Sequence, residues 1–236
     1  IGLLLLDFIC RCRTENGSMP THPIAVKTVV TTDLACRLAE AYGVSIVNVL
    51  TGFKYIGEYV GRLERTGKAK DFILGFEESC GYLTSDYVRD KDGVLAAMLI
   101  CEMAAYHRQK GKTLVDAIHD LYRAYGYCQS ALYAYTFDGA QGADHMRHVM
   151  ERLRAGQKTL GGLPVEGVLD YQKGLNGLPK ADVLKFLLAG GSSLTVRPSG
   201  TEPKLKIYLS VNAADQDQAA AITNRLHLEI ESRITG

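Results

Sequence analysis

Along the first half of the chain, apolar residues alternate between helical spacing and short strand-like blocks, with turn residues between them. Helical stretches are expected over residues 2–13, 33–42, 93–109 and 114–125, with a short helix after Gly52 that Thr51 would cap. Asp92 stands as the N-cap of the longest helix, and Gly43, Gly111 and Gly126 stand where helices should stop. Strand blocks are expected at 25–30, 45–50 and 71–75. Strands separated by helices of this length predict a parallel sheet. The opening IGLLLLDFI is too short to span a bilayer and soon meets Asp7, Arg11 and Arg13, so it reads as a buried helix.

From Tyr127 the pattern changes. A strand (CQSALYAYTF), a helix over 143–153 and a strand (VEGVLDY) are followed by a hairpin, in which SLTV leads into and LKIYLSV leaves the turn RPSGTEPK. A final helix runs over about 215–234. The expected fold is therefore α/β: a mixed, mostly parallel sheet flanked by helices over residues 1–126, then a small α+β domain over 127–236. TENGSMPTHP and LDYQKGLNGLPKAD read as turn-rich loops, and there is no internal repeat.

Composition narrows the function. The chain has 236 residues, 47% of them hydrophobic, ordinary values for a soluble globular protein with ample core. Its formal net charge of +1, without a basic run, lacks the electrostatic footprint of a nucleic-acid binder. Any anion must be caught by a few placed groups. The six cysteines are scattered, with no CxxC pair, and no His joins them at ligand spacing. They read as reduced thiols of a cytoplasmic protein without a bound metal, and no segment suggests a membrane partner. His145 and His148 fit a solvated helix face, and the stretch DKDG, which superficially opens like a calcium loop, lacks the later oxygen ligands.

Three places carry chemistry. In RPSGTEPK, Arg197 can fork two oxygens of a phosphate, Ser199 and Thr201 can each donate a hydroxyl bond, and Gly200 lets backbone amides approach an anion. Lys204 and Lys206 add cations beside a tip poor in carboxylates. An unliganded hairpin turn is the plain alternative. In GFEESCGY, Glu77 and Glu78 follow a strand at the sheet edge where open α/β sheets bind ligands, and carboxylates suit vicinal hydroxyls. An empty acidic turn and an acid/base dyad are the alternatives, though adjacent side chains rarely face each other. Cys80 reads as a small buried cysteine rather than a nucleophile. In LTGFKYIGEYV, Lys54 sits in the first turn of a helix, where it opposes the dipole and so suggests an anionic guest.

Together AVKTVVTTDL, LTGFKYIGEYV, GFEESCGY and TVRPSGTEPKLKIYLSV resemble the carboxyl half of the phosphohexomutase superfamily, closest to its phosphoglucomutase and phosphopentomutase branch. The resemblance spans essentially the whole chain and implies the third and fourth of four domains, the last similar to the TATA-binding-protein fold. It implies that Glu77 and Ser79 grip sugar hydroxyls, that Arg197, Ser199, Gly200, Thr201 and Lys206 hold the phosphate not being transferred, and that Lys54, Thr31 and Thr32 line the same cleft. It implies a parent that interconverts hexose 1-phosphate and hexose 6-phosphate through glucose 1,6-bisphosphate. The phosphoserine loop and the Mg2+ loop would belong to missing amino-terminal domains of the same polypeptide, since neither has a match here. No catalytic residue is then expected in this stretch, which alone should be inactive. Phosphopentomutase, phosphomannomutase and a stand-alone sugar-phosphate binding module are the alternatives.

Overall fold

A computed structural model describes every residue except Asp138, Ala140, Gln141, Thr201 and Gly236. The chain forms two units, residues 1–125 and 126–236. In the first, the order is α1 (Gly2–Glu15), β1 (Ile24–Thr28), α2 (Leu34–Ala41), β2 (Ser45–Val49), α3 (Phe53–Arg65), β3 (Phe72–Phe76), β4 (Tyr82–Leu83), α4 (Gly93–Gln109) and α5 (Leu114–Tyr125). The sheet order is β2-β1-β3-β4. β1 pairs in parallel with both β2 and β3, and only the two-residue β4 runs antiparallel.

Helices cover both faces, so the inner strands are apolar throughout rather than alternating. β3 is buried at every position. Within β1, Ala25 joins the core beneath α1, α2, α4 and α5, whereas Val26 joins the one beneath α3 with Phe53, Ile56 and Val60. The opening helix is buried as its pattern demands, with Leu5, Leu6 and Cys10 at 0% exposure. Its one buried acid, Asp7, accepts hydrogen bonds from Arg11 and, at 2.7 Å, from the Tyr42 hydroxyl. Burial and Asp7 push the Cys10 thiol up to about 12, so it is an inert core group. All six cysteines are free.

The second unit contains β5 (Tyr127–Thr136), α6 (Gly142–Arg154), β6 (Thr159–Leu160), β7 (Leu163–Asp170), β8 (Leu184–Leu188), β9 (Ser192–Pro198), β10 (Lys204–Ala213) and α7 (Gln216–Thr235). Its six strands are antiparallel in the order β5-β10-β9-β8-β7-β6. One face packs Phe186, Leu194, Val196, Leu205 and Ile207 against Val149 and Leu153 of α6 and Leu226 and Ile230 of α7.

Three local expectations need correction. Thr51 does not cap α3: Gly52 holds the cap position at φ 120, and the Thr51 hydroxyl is buried without a partner among the described residues. α3 is 13 residues long, not short, because its apolar stripe of Ile56, Val60 and Leu63 continues for three turns. Strands β4, β6 and β8 were not anticipated; β8 lies in the apolar LKFLL after the turn-rich loop, and its Lys185 is buried. His145 is exposed on α6 as expected, and its Nε2, 2.9 Å from the Ile234 carbonyl, also ties α6 to the end of α7. Asp92 does cap α4, accepting from the amides of Val94 and Leu95 at 3.0 Å. No helix among the described residues is long and apolar enough to cross a membrane.

On α4, His107 is buried, and its Nε2 lacks a hydrogen-bond partner among the described residues. Burial first, with help from Arg11, Lys110 and Lys112 against the opposing Asp7, holds its pKa below the ordinary 6.5. A depressed folded value means that the unfolded chain binds the extra proton first. Stability of the first unit should be complete above about 6.5 and fall as pH drops through that value. Urea denaturation between pH 5 and 8 should show this slope lessened in His107→Gln; an identical slope in both proteins would exclude His107 as its source.

Candidate functional site

Because β1, β2 and β3 run in the same direction, the segments that follow them gather on one edge of the sheet. After β1, the chain turns around a buried cation. Lys27 has 0% exposure, and its ammonium donates to the Thr31 carbonyl at 2.9 Å and to Asp33 Oδ1 at 3.0 Å. The buried hydroxyls of Thr28 and Thr31 lie 2.8 Å apart. Both also reach Glu78 Oε2, at 3.1 and 3.3 Å, so two hydroxyl protons are shared among three oxygens. Thr32 instead turns its hydroxyl to the Leu34 amide, 3.3 Å away, at the start of α2.

The acidic pair after β3 therefore splits. Glu78 reaches back to the β1 turn. Glu77 is buried at 6% exposure, and its amide donates to the Gly81 carbonyl at 3.0 Å. Its Oε1 lies 3.6 Å from the ammonium of Lys91, an exposed residue of the segment leading into α4. The two carboxylates thus have different partners, which a cooperating acid/base dyad would not. Ser79 is exposed between them and Cys80. Cys80 departs from expectation: it is exposed and left-handed at φ 63 in the tight return to β4. Burial, reinforced by Cys80, pushes the neighbouring Tyr82 hydroxyl up to about 12. Lys54 occupies the first turn of α3 on the same sheet edge, exposed, with its ammonium 4.9 Å above the Tyr55 ring.

Lys27, Thr28 and Lys91 were missed in the sequence. A Lys inside the apolar block AVKTVV was a usable signal, since a charge there must be paired to be buried. Lys91 was hidden inside DKDG, where the neighbouring aspartates drew the metal comparison.

In the second unit, the β9–β10 ladder places Arg197 directly opposite Lys206. Both are half-buried, on the face shared with Thr195 and Tyr208 and opposite to the apolar residues Val196, Leu205 and Ile207. Like charges directly opposite each other destabilise a sheet. Among the described residues, neither has a carboxylate within 4.0 Å. The turn beyond them is closed by the Ser199 amide, which donates to the Lys204 carbonyl at 2.7 Å, so that amide serves the hairpin rather than an open nest. The tip is also less poor in carboxylates than its sequence suggested, because Glu202 pairs with Lys204 at 2.9 Å. Lys204 holds the Glu202 carboxyl below its usual range and is itself engaged. Gly200 is exposed; its φ is not left-handed, and a Cβ there would meet nothing. Thr201 lies outside the described residues. Among the described residues, no group of three or more His, Cys, Asp or Glu is placed to hold a metal.

The profile of the phosphoglucomutase/phosphomannomutase alpha/beta/alpha domain III matches residues 3–125, and that of the C-terminal domain of the same enzymes matches residues 144–227. A phosphoglucomutase of Staphylococcus haemolyticus is 33% identical over 93% of the chain, and one of Staphylococcus epidermidis is 34% identical over 95%. The chain spans only 41% and 42% of their lengths. Among solved structures, the exocytosis-sensitive phosphoprotein parafusin of Paramecium, a phosphoglucomutase, superposes with a TM-score of 0.71 at 22% identity, covering 98% of this chain and 41% of that one. A phosphoglucomutase/phosphomannomutase family protein of Burkholderia thailandensis gives 0.61 at 16%, covering 100% and 42%. At these identities the structures speak for the fold.

The packing around Glu77 yields a prediction. A Cβ on Gly81 would lie 2.8 Å from Glu77 Oε1 and 2.9 Å from Phe53 Cδ2, so both neighbours must move. Gly81→Ala should cost about 1–3 kcal/mol in chemical denaturation. Undiminished stability would mean that the loop has slack at Glu77.

Proposed function

Because the chain belongs to the phosphoglucomutase/phosphomannomutase family, we propose that it is the substrate-recognition half of a mutase that interconverts hexose 1-phosphate and hexose 6-phosphate. Arg197 and Lys206 form a clamp for the phosphate that is not transferred, completed by Ser199, Thr201 and the open approach to the Gly200 backbone. Glu77 and Ser79 read the sugar hydroxyls. Lys54 and Thr32 line the same edge of the first unit's sheet as Glu77 and Ser79. The observation that carries this reading is the cross-strand pairing of Arg197 with Lys206, neither with a carboxylate within 4.0 Å among the described residues, although Lys206 helps Lys204 to hold Glu202 ionised nearby; a bound dianion would turn this arrangement from repulsive to favourable. The names of the Staphylococcus relatives favour glucose over mannose and pentose phosphates.

In this reading, Mg2+ and the phosphorylated serine are held by amino-terminal domains, glucose 1,6-bisphosphate is the intermediate, and the enzyme works in the cytoplasm. The residues present here bind and orient. They fix the inert phosphate through charge and the ring through hydrogen bonds, which lets the sugar be held in either of two orientations. Mg2+ would supply charge neutralisation at the transferring phosphoryl group.

Titration of the chain with glucose 6-phosphate and with inorganic phosphate, followed at the backbone amides, tests this. Arg197→Ala should weaken both ligands by about 1.5–3 kcal/mol, roughly 10- to 150-fold. Glu77→Gln should weaken glucose 6-phosphate alone. Equal affinity in Arg197→Ala and parent would remove the clamp assignment, and parallel losses for both ligands in Glu77→Gln would end the division of labour between the loops. The chain alone should not turn over glucose 1-phosphate, and magnesium-dependent activity from it would contradict the placement of the reactive groups elsewhere.

A further inference from the structure

The two neighbouring glutamates after β3 meet different surroundings, and one of them is engaged by the protein itself. Glu78 Oε2 is reached by the hydroxyls of Thr28 and Thr31, residues about fifty positions earlier in the chain. Those hydroxyls belong to a turn with little freedom. Its Thr31 carbonyl and Asp33 carboxylate both bind the Lys27 ammonium, which has no exposure and must keep its partners to remain charged. Thr31 is thereby held through its carbonyl on one side and its hydroxyl on the other.

We infer that Lys27, Thr28, Thr31 and Glu78 form a tether that positions the sugar-reading loop, with Glu78 as a positioning residue rather than a sugar ligand. The inference rests on the assignment of Glu77 and Ser79 to the sugar. Glu78 stands between these two residues, so anchoring its carboxylate fixes the backbone on either side of both. Within the loop, the only other backbone restraint among the described residues is the bond from the Glu77 amide to Gly81, with Gly81 packed against Glu77. Without the tether, the exposed residues 78–80, with Cys80 left-handed, would depend on that bond and on the ion pair of Glu77 with Lys91. The buried cation therefore acts at a distance: it fixes the turn, the turn fixes Glu78, and Glu78 fixes the groups that meet the ring.

Glu78→Ala is the first test, because Glu78 is exposed and its removal leaves Thr28 and Thr31 close enough to bond each other. Thr31→Val removes the donor at similar volume, and Thr31→Ser restores it. In the unliganded chain, hydrogen exchange of the Glu77 amide should quicken at least tenfold in Glu78→Ala and Thr31→Val and return to the parent rate in Thr31→Ser. Affinity for glucose 6-phosphate should drop about tenfold in the first two variants and recover in the third, with binding of inorganic phosphate unchanged. Unaltered exchange in both Glu78→Ala and Thr31→Val would overturn the tether. Preserved exchange with lost sugar affinity in Glu78→Ala would make Glu78 a direct ligand and overturn its positioning role. If exchange quickens as expected while the parent chain binds glucose 6-phosphate no better than inorganic phosphate, the tether stands and the assignment of the loop to a sugar falls.

Discussion

A lysine ammonium with no access to water constrains this molecule more than any other single group. Stripping an ion of its hydration costs several kcal/mol, recovered only where close partners of opposite polarity replace the water. Lys27 finds them in the Asp33 carboxylate and the Thr31 carbonyl. Removing one partner of a buried pair typically costs about 3–5 kcal/mol, a large share of the whole stability of a domain. Here Asp33 keeps partial exposure at 27%, so solvent softens that figure. The course of the chain between β1 and α2 is nonetheless dictated by where those acceptors must stand.

The two loops present different physics to whatever meets them. The hairpin of the second unit presents charge on a half-exposed strand face, where attraction for a dianion is strong at low salt and screened at high salt. The edge of the first sheet presents oriented hydrogen-bonding groups on a mostly buried base, where geometry matters more than net charge.

Much of this was legible in the chain. The alternation of helices and strands, the Asp92 cap and the hairpin around residues 197–204 follow from local chemistry, and each appears close to where the pattern places it. β8 was not, because LKFLL follows a long turn-rich stretch and carries a Lys whose burial depends on neighbours remote in sequence. The gap at α3 was of the same kind: Thr51 has the right side chain for a cap, but Gly52 takes the cap position with a backbone angle that no propensity announces. At the site, the residue types were readable and their partners were not. That Glu78 meets Thr28 and Thr31 depends on β1 and β3 lying side by side in parallel, a fact of topology rather than of composition. The same holds for Lys91 beside Glu77.

Arg197 and Lys206 stand on the regular ladder between β9 and β10, and β10 is flanked on its other side by β5, so neither cation belongs to the loop that joins the strands. The backbone under both is fixed by three strands whatever the tip does. The positions of the two charges are therefore set by the ladder and not by the turn that follows them. The spacing of the two cations is thus a property of the sheet itself, as fixed as any other cross-strand distance in it.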